Sequence, residues 1–198
     1  MFYQKILKRV IDFFVSLIIS PIVLFVCIIF GILIYMEDKG DIFYISERRG
    51  INGSVFKMYK LRSMKLNSPD LRNPDGSTYN SKKDERLTKT GKIIRKLSID
   101  ELPQIFNVLK GEMSFIGPRP SLVSMRYDEL DEYRKKRLNV LPGITGYSQA
   151  YYRNTISQSE KIIKDCWYVD NISLSTDLKI LIKTIKIVLF KIAIGKNN

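Results

Sequence analysis

Histidine is absent from the 198-residue chain. Its absence excludes nucleophile activation by Ser-His-Asp or Cys-His groups, acid–base chemistry by imidazole, and zinc sites with histidine ligands. The only two cysteines, Cys27 and Cys166, are too few for a thiolate metal cage, and neither requires an oxidising compartment. Cys27 lies in an apolar run and is expected to be a buried, inert thiol. Any catalysis must therefore come from carboxylates, Lys, Arg, Tyr, Ser, Thr and a metal ion.

The chain also has few acidic residues relative to basic ones. It contains 20 Asp and Glu and 33 Lys and Arg, which give a net charge of +13. An excess of this size favours an anionic partner such as nucleic acid, anionic lipid or a phosphorylated substrate. The sequence contains no helix-turn-helix or other nucleic-acid-binding module, so nucleic acid is not the expected partner. The chain length fits one domain, or one domain with a membrane anchor.

Residues 13–36 contain no charged residue. About 20 apolar residues suffice to cross the hydrocarbon core of a bilayer, so a kinked single-pass anchor is one interpretation. The run is interrupted at Ser20-Pro21, where proline leaves the Leu17 carbonyl without its helical donor and Ser20 can bond back to a carbonyl. Basic residues flank both ends, and the positive-inside rule then favours the cytosol for each end. We therefore predict that residues 1–38 form a re-entrant membrane helix that breaks at Ser20-Pro21.

The remaining residues, 39–198, are predicted to form a mixed α/β catalytic domain that is mainly helical with a small β-hairpin. The hairpin is expected over residues 42–62, where two strand-like segments flank a glycine-containing turn. Residues 67–86 show no clear period and predict an irregular excursion. Residues 177–194 predict an amphipathic helix with a basic face, which is typical of a membrane surface, although packing in a soluble core produces the same pattern.

Two adjacent carboxylates, Asp100 and Glu101, stand at the start of a helical pattern that Gly111 is expected to end. Ser98-Ile-Asp-Glu101 matches a capping box, and on residue type alone such acids most often stabilise a helix N-terminus. Nearby arginines make a second interpretation possible, namely a site for phosphoryl groups and a metal ion. One carboxylate can act as a nucleophile toward phosphorus, and its neighbour can hold Mg²⁺ between phosphate oxygens.

Long ordered segments of the chain resemble the small monotopic phosphoglycosyl transferases of bacteria, the PglC-type bacterial sugar transferase family, over essentially the full length. The most specific segment is Leu97-Ser-Ile-Asp-Glu-Leu-Pro-Gln-Ile-Phe-Asn-Val-Leu-Lys-Gly-Glu-Met-Ser-Phe-Ile-Gly-Pro-Arg-Pro120. The other matching segments are Lys8-Arg-Val-Ile-Asp-Phe13, Ser20-Pro21, Phe56-Lys-Met-Tyr-Lys-Leu-Arg-Ser-Met64, Leu141-Pro-Gly-Ile-Thr-Gly146 and Trp167-Tyr-Val-Asp-Asn-Ile-Ser-Leu174.

The resemblance implies an enzyme that transfers a phospho-sugar from a UDP-sugar to a polyprenyl phosphate such as undecaprenyl phosphate and releases UMP. It implies that Asp100 attacks the β-phosphorus, that Glu101 holds Mg²⁺, and that the polyprenyl phosphate then attacks the aspartyl intermediate. Substrate- or phosphate-binding roles are implied for Arg95, Arg119, Arg153, Lys60 and Asp165. The implied location is the cytosolic leaflet of the bacterial inner membrane, where interfacial helices and a re-entrant helix hold a cytosolic catalytic core. The implied reaction is the first membrane step of glycan or glycoprotein assembly.

The chain departs from the family pattern after Gly146. The family usually continues with Trp-Ala-Gln and then Asn-Gly-Arg-Asn, whereas this chain has Tyr147-Ser-Gln149 and Tyr151-Tyr-Arg-Asn154. A left-handed backbone is sterically unfavourable for Tyr152 in place of glycine, so the loop that carries Arg153 is expected to differ. Two other functions stay open from the residues alone: a membrane-tethered protein that binds anionic lipid or nucleic acid, and a glycosyltransferase that releases UDP. The identity of the sugar is not readable from the sequence.

Overall fold

The computed structural model describes residues 2–73, 79, 84–153 and 155–194, and side chains as far as residue 189. A short π-helix, Tyr3–Leu7, continues directly into the long helix α1, Lys8–Asp38. The following elements are β1 (Phe43–Arg49), β2 (Val55–Leu61), α2 (Lys89–Leu97), α3 (Gln104–Lys110), β3 (Ser114–Ile116), β4 (Ser121–Leu122), α4 (Glu132–Arg137), β5 (Gly143–Thr145), α5 (Tyr147–Tyr151), α6 (Gln158–Asp170) and α7 (Leu174–Ile194). The predicted class, mainly helical with a small sheet, is confirmed.

The predicted hairpin is confirmed as part of a three-stranded antiparallel sheet with the order β2-β1-β4. Its register runs from Phe43 opposite Leu61 to Arg49 opposite Val55. One face of β2 buries Phe56 against α3 and the other exposes Lys57, as the two-residue period of a strand requires. A second, two-stranded parallel sheet joins β3 to β5. The predicted excursion over residues 67–86 lies partly outside the described residues, at 74–78 and 80–83.

Helix α1 continues without interruption through Ser20 and Pro21. The predicted break at these residues is therefore corrected, and the local hydrogen bonding gives the reason. Pro21 cannot donate to the Leu17 carbonyl, but the Ser20 hydroxyl donates to that carbonyl over 2.9 Å. The serine thus replaces the hydrogen bond that the proline removes, and the helix accommodates both residues.

One face of α1 packs against the rest of the protein along most of its length. Val23, Cys27 and Ile34 are buried at helical spacing and pack in one cluster with Leu61 of β2 and Ile94 of α2. The other face exposes large apolar side chains, which include Phe14, Ile18, Ile22, Phe25, Ile28, Ile32 and Met36. Among the described residues, this is the one helix that is long and apolar enough to cross a membrane.

Both ends of α1 are fastened by charged side chains. Near the start, Lys8 Nζ lies 2.5 Å from the Asp177 carboxylate of α7. At the end, Arg62 donates to both carboxylate oxygens of Asp38 over 2.5 and 2.6 Å. The Glu37 carboxylate also accepts two backbone N–H bonds from the first turn of α2, at 2.5 and 3.0 Å. The long helix is therefore held by the rest of the chain at both ends.

Helix α7 begins three residues before the predicted start of the C-terminal amphipathic helix, at Leu174. The earlier start follows from Ser173, whose hydroxyl accepts the Thr176 backbone N–H over 3.2 Å. Asp177 consequently lies inside the helix, where it is buried and accepts a hydrogen bond from the Tyr168 hydroxyl over 2.7 Å. The outward face carries exposed apolar side chains at Leu178, Leu181, Ile182, Ile185 and Leu189.

Candidate active site

The turn between α2 and α3 presents the carboxylate pair. Helix α2 ends at Ser98, whose left-handed backbone (φ 60°) redirects the chain into a single 3₁₀ turn over residues 99–101. The predicted capping box is wrong, because the Ser98 side chain makes no capping hydrogen bond and α3 begins later, at Gln104. Pro103 directly precedes that start. Proline is common at the beginning of a helix, because the first N–H groups of a helix have no carbonyl partner within it and the missing N–H of proline costs nothing there. Gly111 ends α3 with φ 86°, as predicted.

Four of the predicted site residues meet at this turn. Asp100 is buried, with 9% of its surface exposed, and the adjacent Glu101 reaches Lys60 Nζ over 2.6 Å. Lys60 comes from the end of β2, so the hairpin delivers the cation to the carboxylates. Arg95 comes from the last turn of α2, where Ser63 accepts a 2.9 Å hydrogen bond from its Nε and its charge acts on Asp100. The site therefore combines two carboxyl groups and two cationic side chains, which come from β2, α2 and the turn that follows α2.

The pKa of the Asp100 carboxyl is raised to about 6. Burial is the largest cause, and the negative charge of Glu101 adds to it, whereas Lys60 and Arg95 act in the opposite direction. A stabilising acid at a helix N-terminus is expected to have a lowered pKa, because the helix dipole favours its charged form. A carboxylate that is ionised at neutral pH but held in an unfavourable environment is more basic, which suits a nucleophile. The raised pKa thus favours the chemical interpretation over the structural one.

The donor set at Asp100 and Glu101 fits Mg²⁺ shared with a substrate. Within the part of the chain that the structure describes, no group of three or more acidic or cysteine side chains is arranged to hold a metal. Mg²⁺ is commonly bound by one or two carboxylates together with substrate phosphate oxygens and water, so a larger cluster is not needed. Glu101, with 28% of its side chain exposed, is the more accessible ligand of the two.

Arg137 links two of the other predicted site residues, Arg119 and Asp165. The Arg119 side chain is exposed, and its backbone carbonyl accepts a 3.0 Å hydrogen bond from Arg137. Arg137 also donates to Ser121 Oγ over 3.3 Å and lies 2.8 Å from Asp165 Oδ2. Asp165 is only 1% exposed, and burial raises the pKa of its carboxyl although Arg137 and Ser148 oppose the shift. Asp165 therefore holds Arg137, and Arg137 in turn holds the backbone at Arg119.

The backbone of the loop after α5 differs from the expectation for Tyr152. Tyr152 has φ −119°, so the steric penalty predicted for it does not arise. The left-handed residue is Arg153 itself, with φ 50°, and its backbone N–H donates to the Ser148 carbonyl over 3.0 Å. The Arg153 side chain is exposed. The following residue, Asn154, lies outside the described residues.

Two arginines that the sequence did not single out also belong to this region. Arg137 links Arg119 to Asp165, as described above. Arg48 lies in β1, where the positive charge of Arg119 acts on it and lowers its pKa. In the sequence, Arg48 is one of several basic residues after the apolar run, and Arg137 follows other basic residues in α4. Strand alternation would have placed Arg48 on one face with Tyr44, but only the pairing of β1 with β4 brings it to Arg119.

Comparisons with known proteins identify the family of the chain. Residues 3–191 match the family model described as bacterial sugar transferase. The chain is 43% identical over 200 residues to the uncharacterized sugar transferase EpsL of Bacillus subtilis, covering 98% of this chain and 92% of that protein. It is 38% identical over 205 residues to the undecaprenyl-phosphate galactose phosphotransferase of Salmonella typhimurium.

A third relative, 37% identical over 188 residues, is the UDP-N-acetylgalactosamine-undecaprenyl-phosphate N-acetylgalactosaminephosphotransferase of Aeromonas hydrophila. The two phosphotransferases are matched over 94% and 92% of this chain but over only 41% and 44% of their own lengths. Residues 3–191, which match the family model, contain the carboxylate turn, the sheet and the long N-terminal helix together. The chain belongs to the bacterial sugar transferase family.

Proposed function

We propose that this protein transfers a sugar phosphate from a UDP-sugar to a polyprenyl phosphate and releases UMP. The observation that carries the proposal is the buried carboxylate Asp100, which lies beside Glu101 and within the field of Lys60 and Arg95. The names of the relatives support the substrate classes, because two of them transfer galactose phosphate or N-acetylgalactosamine phosphate to undecaprenyl phosphate.

The proposed reaction has two displacements at one phosphorus atom. In the first, an Asp100 carboxylate oxygen bonds to the β-phosphorus while the bond to the bridging oxygen breaks, and the electron pair leaves with UMP. In the second, a phosphate oxygen of the polyprenyl phosphate bonds to the same phosphorus and the aspartyl–phosphorus bond breaks, which restores the carboxylate. Both nucleophiles are anionic oxygens, so neither step needs a general base, and this suits a chain without histidine.

The surrounding residues have separate tasks in this proposal. Lys60 and Arg95 stabilise the negative charge that accumulates on the phosphoryl oxygens in the transition state. Glu101, with Asp100 beside it, would hold Mg²⁺, which supplies further charge neutralisation when bound. Burial of Asp100 removes water that would otherwise compete for the carboxylate or hydrolyse the intermediate. Arg119 and Arg153 are proposed to bind phosphate, and Asp165 to position Arg119 through Arg137.

The membrane arrangement is proposed to be re-entrant, with both ends of α1 on the cytosolic side. Lys8 at one end and Asp38 at the other are ion-paired to the same catalytic domain. If α1 crossed the bilayer, that domain would have to contact both membrane surfaces. The exposed apolar faces of α1 and α7 support burial in the lipid leaflet, and the positive charge of the chain suits anionic lipid. Because α1 stays helical through Ser20 and Pro21, this arrangement requires the helix to bend there, and both the proline and the Ser20 hydrogen bond to the Leu17 carbonyl favour such a bend.

The test is release of UMP by the detergent-solubilised protein from UDP-galactose or UDP-N-acetylgalactosamine, with Mg²⁺ and undecaprenyl phosphate. Asp100→Asn is expected to abolish release, because an amide oxygen is a far weaker nucleophile. Asp128→Asn, at an exposed carboxylate, is the matched control and should retain full activity. UDP in place of UMP would indicate a glycosyltransferase. Lipid binding without release of either nucleotide from a panel of UDP-sugars would indicate a membrane-tethered binding protein.

A further inference from the structure

Arg48 shares a face of the sheet with Lys60 of the candidate active site. Tyr44 is paired with Lys60 across the hairpin, and directly opposed residues in antiparallel strands point to the same side. Tyr44 and Arg48 are four residues apart in β1, so both also point to that side. The two positions are about 13 Å apart along the strand, at roughly 3.3 Å per residue. Arg48 and Lys60 therefore lie on the same side of the sheet, where β2 also carries the buried residues Met58, between them, and Phe56, opposite Arg48.

The environment of Arg48 is unfavourable for its charge. Its guanidinium is half-buried, and burial lowers its pKa; the positive charge of Arg119 lowers it further and Arg72 contributes in the same direction. Tyr44 and Asp70 are the groups that oppose these effects. Among the described residues, no carboxylate forms an ion pair or hydrogen bond with Arg48. Partial burial and a neighbouring positive charge both disfavour the charged form of Arg48, and a bound anion would offset both effects.

The backbone around Arg119 is fixed, so the approach of the two arginines is built into the fold. Arg48 pairs with Leu122 of β4, three residues after Arg119. Arg137 holds the Arg119 carbonyl and the Ser121 hydroxyl, as described above. The charge of Arg137 is itself taken up by buried Asp165 at 2.8 Å, so Arg137 is a support and not a ligand. The cationic pair that faces outward consists of Arg48 and Arg119.

We propose that Arg48 and Arg119 form a clamp that binds the phosphate oxygens of a substrate at the end of the sheet face that begins at Lys60. This inference rests on the proposed function and names a further binding residue, Arg48, for it. In a nucleoside diphosphate sugar the two phosphates are adjacent, so the long arginine side chains can contact phosphate oxygens while the β-phosphorus lies at Asp100. The phosphate of the lipid acceptor has the same chemistry. Forked arginine donors suit either, because each guanidinium can contact two phosphate oxygens.

The first arm of the test measures binding of UDP alone to the detergent-solubilised full chain by calorimetric titration in Mg²⁺. Arg48→Met keeps the apolar stem and removes the charge, and it should weaken UDP binding about tenfold or more. Arg48→Lys should recover part of the affinity, since it restores the charge without the fork. Lys57→Met is the matched control, because it removes one positive charge from the exposed opposite face of the same sheet, and it should bind UDP as the unchanged protein does.

The second arm measures the KM for undecaprenyl phosphate at saturating UDP-sugar. Unchanged UDP affinity with a roughly tenfold higher KM for the lipid in Arg48→Met would support the clamp and assign it to the acceptor phosphate. Unchanged values in both arms would overturn the clamp and leave the proposed function standing. If the unchanged protein bound neither UDP nor any UDP-sugar, the proposed function and the clamp would both fail.

Thermal unfolding of the ligand-free protein separates a binding role from a structural one. Because Arg48 is repelled by Arg119, Arg48→Met is expected to leave Tm unchanged or to raise it. A clear fall in Tm would assign Arg48 a structural role and overturn the proposal. The double variant Arg48→Met/Arg119→Met adds a further check. If both arginines contact one phosphate, its loss of UDP affinity should differ from the product of the two single losses.

Discussion

At the scale of single residues, the proposed chemistry depends on one carboxylate that the fold makes more basic than usual. Asp100 is buried next to Glu101, and the two nearby cations, Lys60 and Arg95, only partly offset the resulting rise in its pKa. The same burial that we propose to activate the group makes its charged form unfavourable in the folded protein. Activity and stability should therefore respond to Asp100 in opposite directions.

The pH dependence of the reaction should show the raised pKa of Asp100. Only the ionised carboxylate can attack phosphorus, and the pKa of Asp100 is raised to about 6. We expect kcat/KM to fall about tenfold per pH unit below pH 6, because the fraction of carboxylate falls by that factor. The profile is measured between pH 4.5 and 8.5 with a donor whose own phosphates stay ionised. An acidic limb near pH 4 would contradict the assignment.

Asp100→Asn should raise the thermal stability of the ligand-free protein at neutral pH. The pKa of Asp100 is above its unfolded value of 3.8, so stability associated with its neutral form is fully present below 3.8 and lost as the pH rises through about 6. A neutral amide does not incur that loss. We expect the variant to exceed the unchanged protein in Tm at pH 7.5, with the difference shrinking as the pH falls toward 4.

Scanning calorimetry in one detergent over that pH range provides the measurement. The control is Asp128→Asn, whose carboxylate is exposed, and its Tm should match that of the unchanged protein. A lower Tm for Asp100→Asn at pH 7.5 would show that the Asp100 carboxylate makes stabilising contacts, contrary to the site described here.

At the scale of elements, helix α2 connects α1 to the carboxylate turn. Its first turn is bound by Glu37 of α1, its cap is Thr88, and its last turn carries Arg95. The helix can lie this close to the preceding strand region because residue 91 is glycine. A Cβ atom on Gly91 would lie 1.9 Å from the Ser63 carbonyl oxygen, which no side-chain motion can relieve because that oxygen belongs to the backbone.

Gly91→Ala should therefore destabilise the protein by about 1–3 kcal/mol, the usual penalty for overpacking. Helix propensity alone predicts the opposite sign, since alanine favours a helix over glycine by about 1 kcal/mol. Chemical unfolding in urea distinguishes the two. Lys92→Ala, at the adjacent exposed position, is the control and should change stability little. A stability equal to or above that of the unchanged protein for Gly91→Ala would show that the close contact does not exist.

The elements differ in how far the sequence could predict them. The hairpin follows from local alternation and from the turn at Gly50–Gly53, so its bounds are close to the prediction. The capping box at Ser98 failed because the same serine ends α2 in a left-handed conformation. The helical break at Pro21 failed because Ser20 restores the lost hydrogen bond. In both cases the sequence correctly marked a residue with an unusual local role. The structure that resulted depended on the neighbouring residues, which the local pattern does not include.

The two ends of α1 should be accessible from the same side of the membrane. Lys5 and Lys39 are exposed at its two ends, while both native cysteines, Cys27 and Cys166, are free and buried. We expect Lys5→Cys and Lys39→Cys to react with a membrane-impermeant maleimide in inverted vesicles and to stay unreactive in intact spheroplasts. The buried native cysteines should give little background. Reaction of one of the two positions in intact spheroplasts would identify a single-pass anchor.

At the scale of the whole molecule, apolar and charged surfaces are separated in a way that suits one face of a membrane. The exposed sides of α1 and α7 carry large apolar residues, whereas the carboxylate turn, Lys60 and the arginines come from the elements between these helices. The carboxylate pair was readable from the sequence because the two residues are adjacent. The pairing of Arg48 with β4 and the ion pair of Arg137 with Asp165 were not, since each joins elements that are far apart in the chain and meet only in the folded protein.

The most direct test of the aspartyl intermediate is the intact mass of the protein after incubation with a panel of UDP-sugars and Mg²⁺, without a lipid acceptor. We expect one or more donors to add the mass of a single phospho-sugar, UMP to appear in equal amount, and Asp100→Asn to show no increase. Addition of undecaprenyl phosphate should then remove the adduct. Turnover of a donor to UMP in the presence of the lipid, with no adduct formed in its absence, would contradict the aspartyl intermediate and indicate direct transfer.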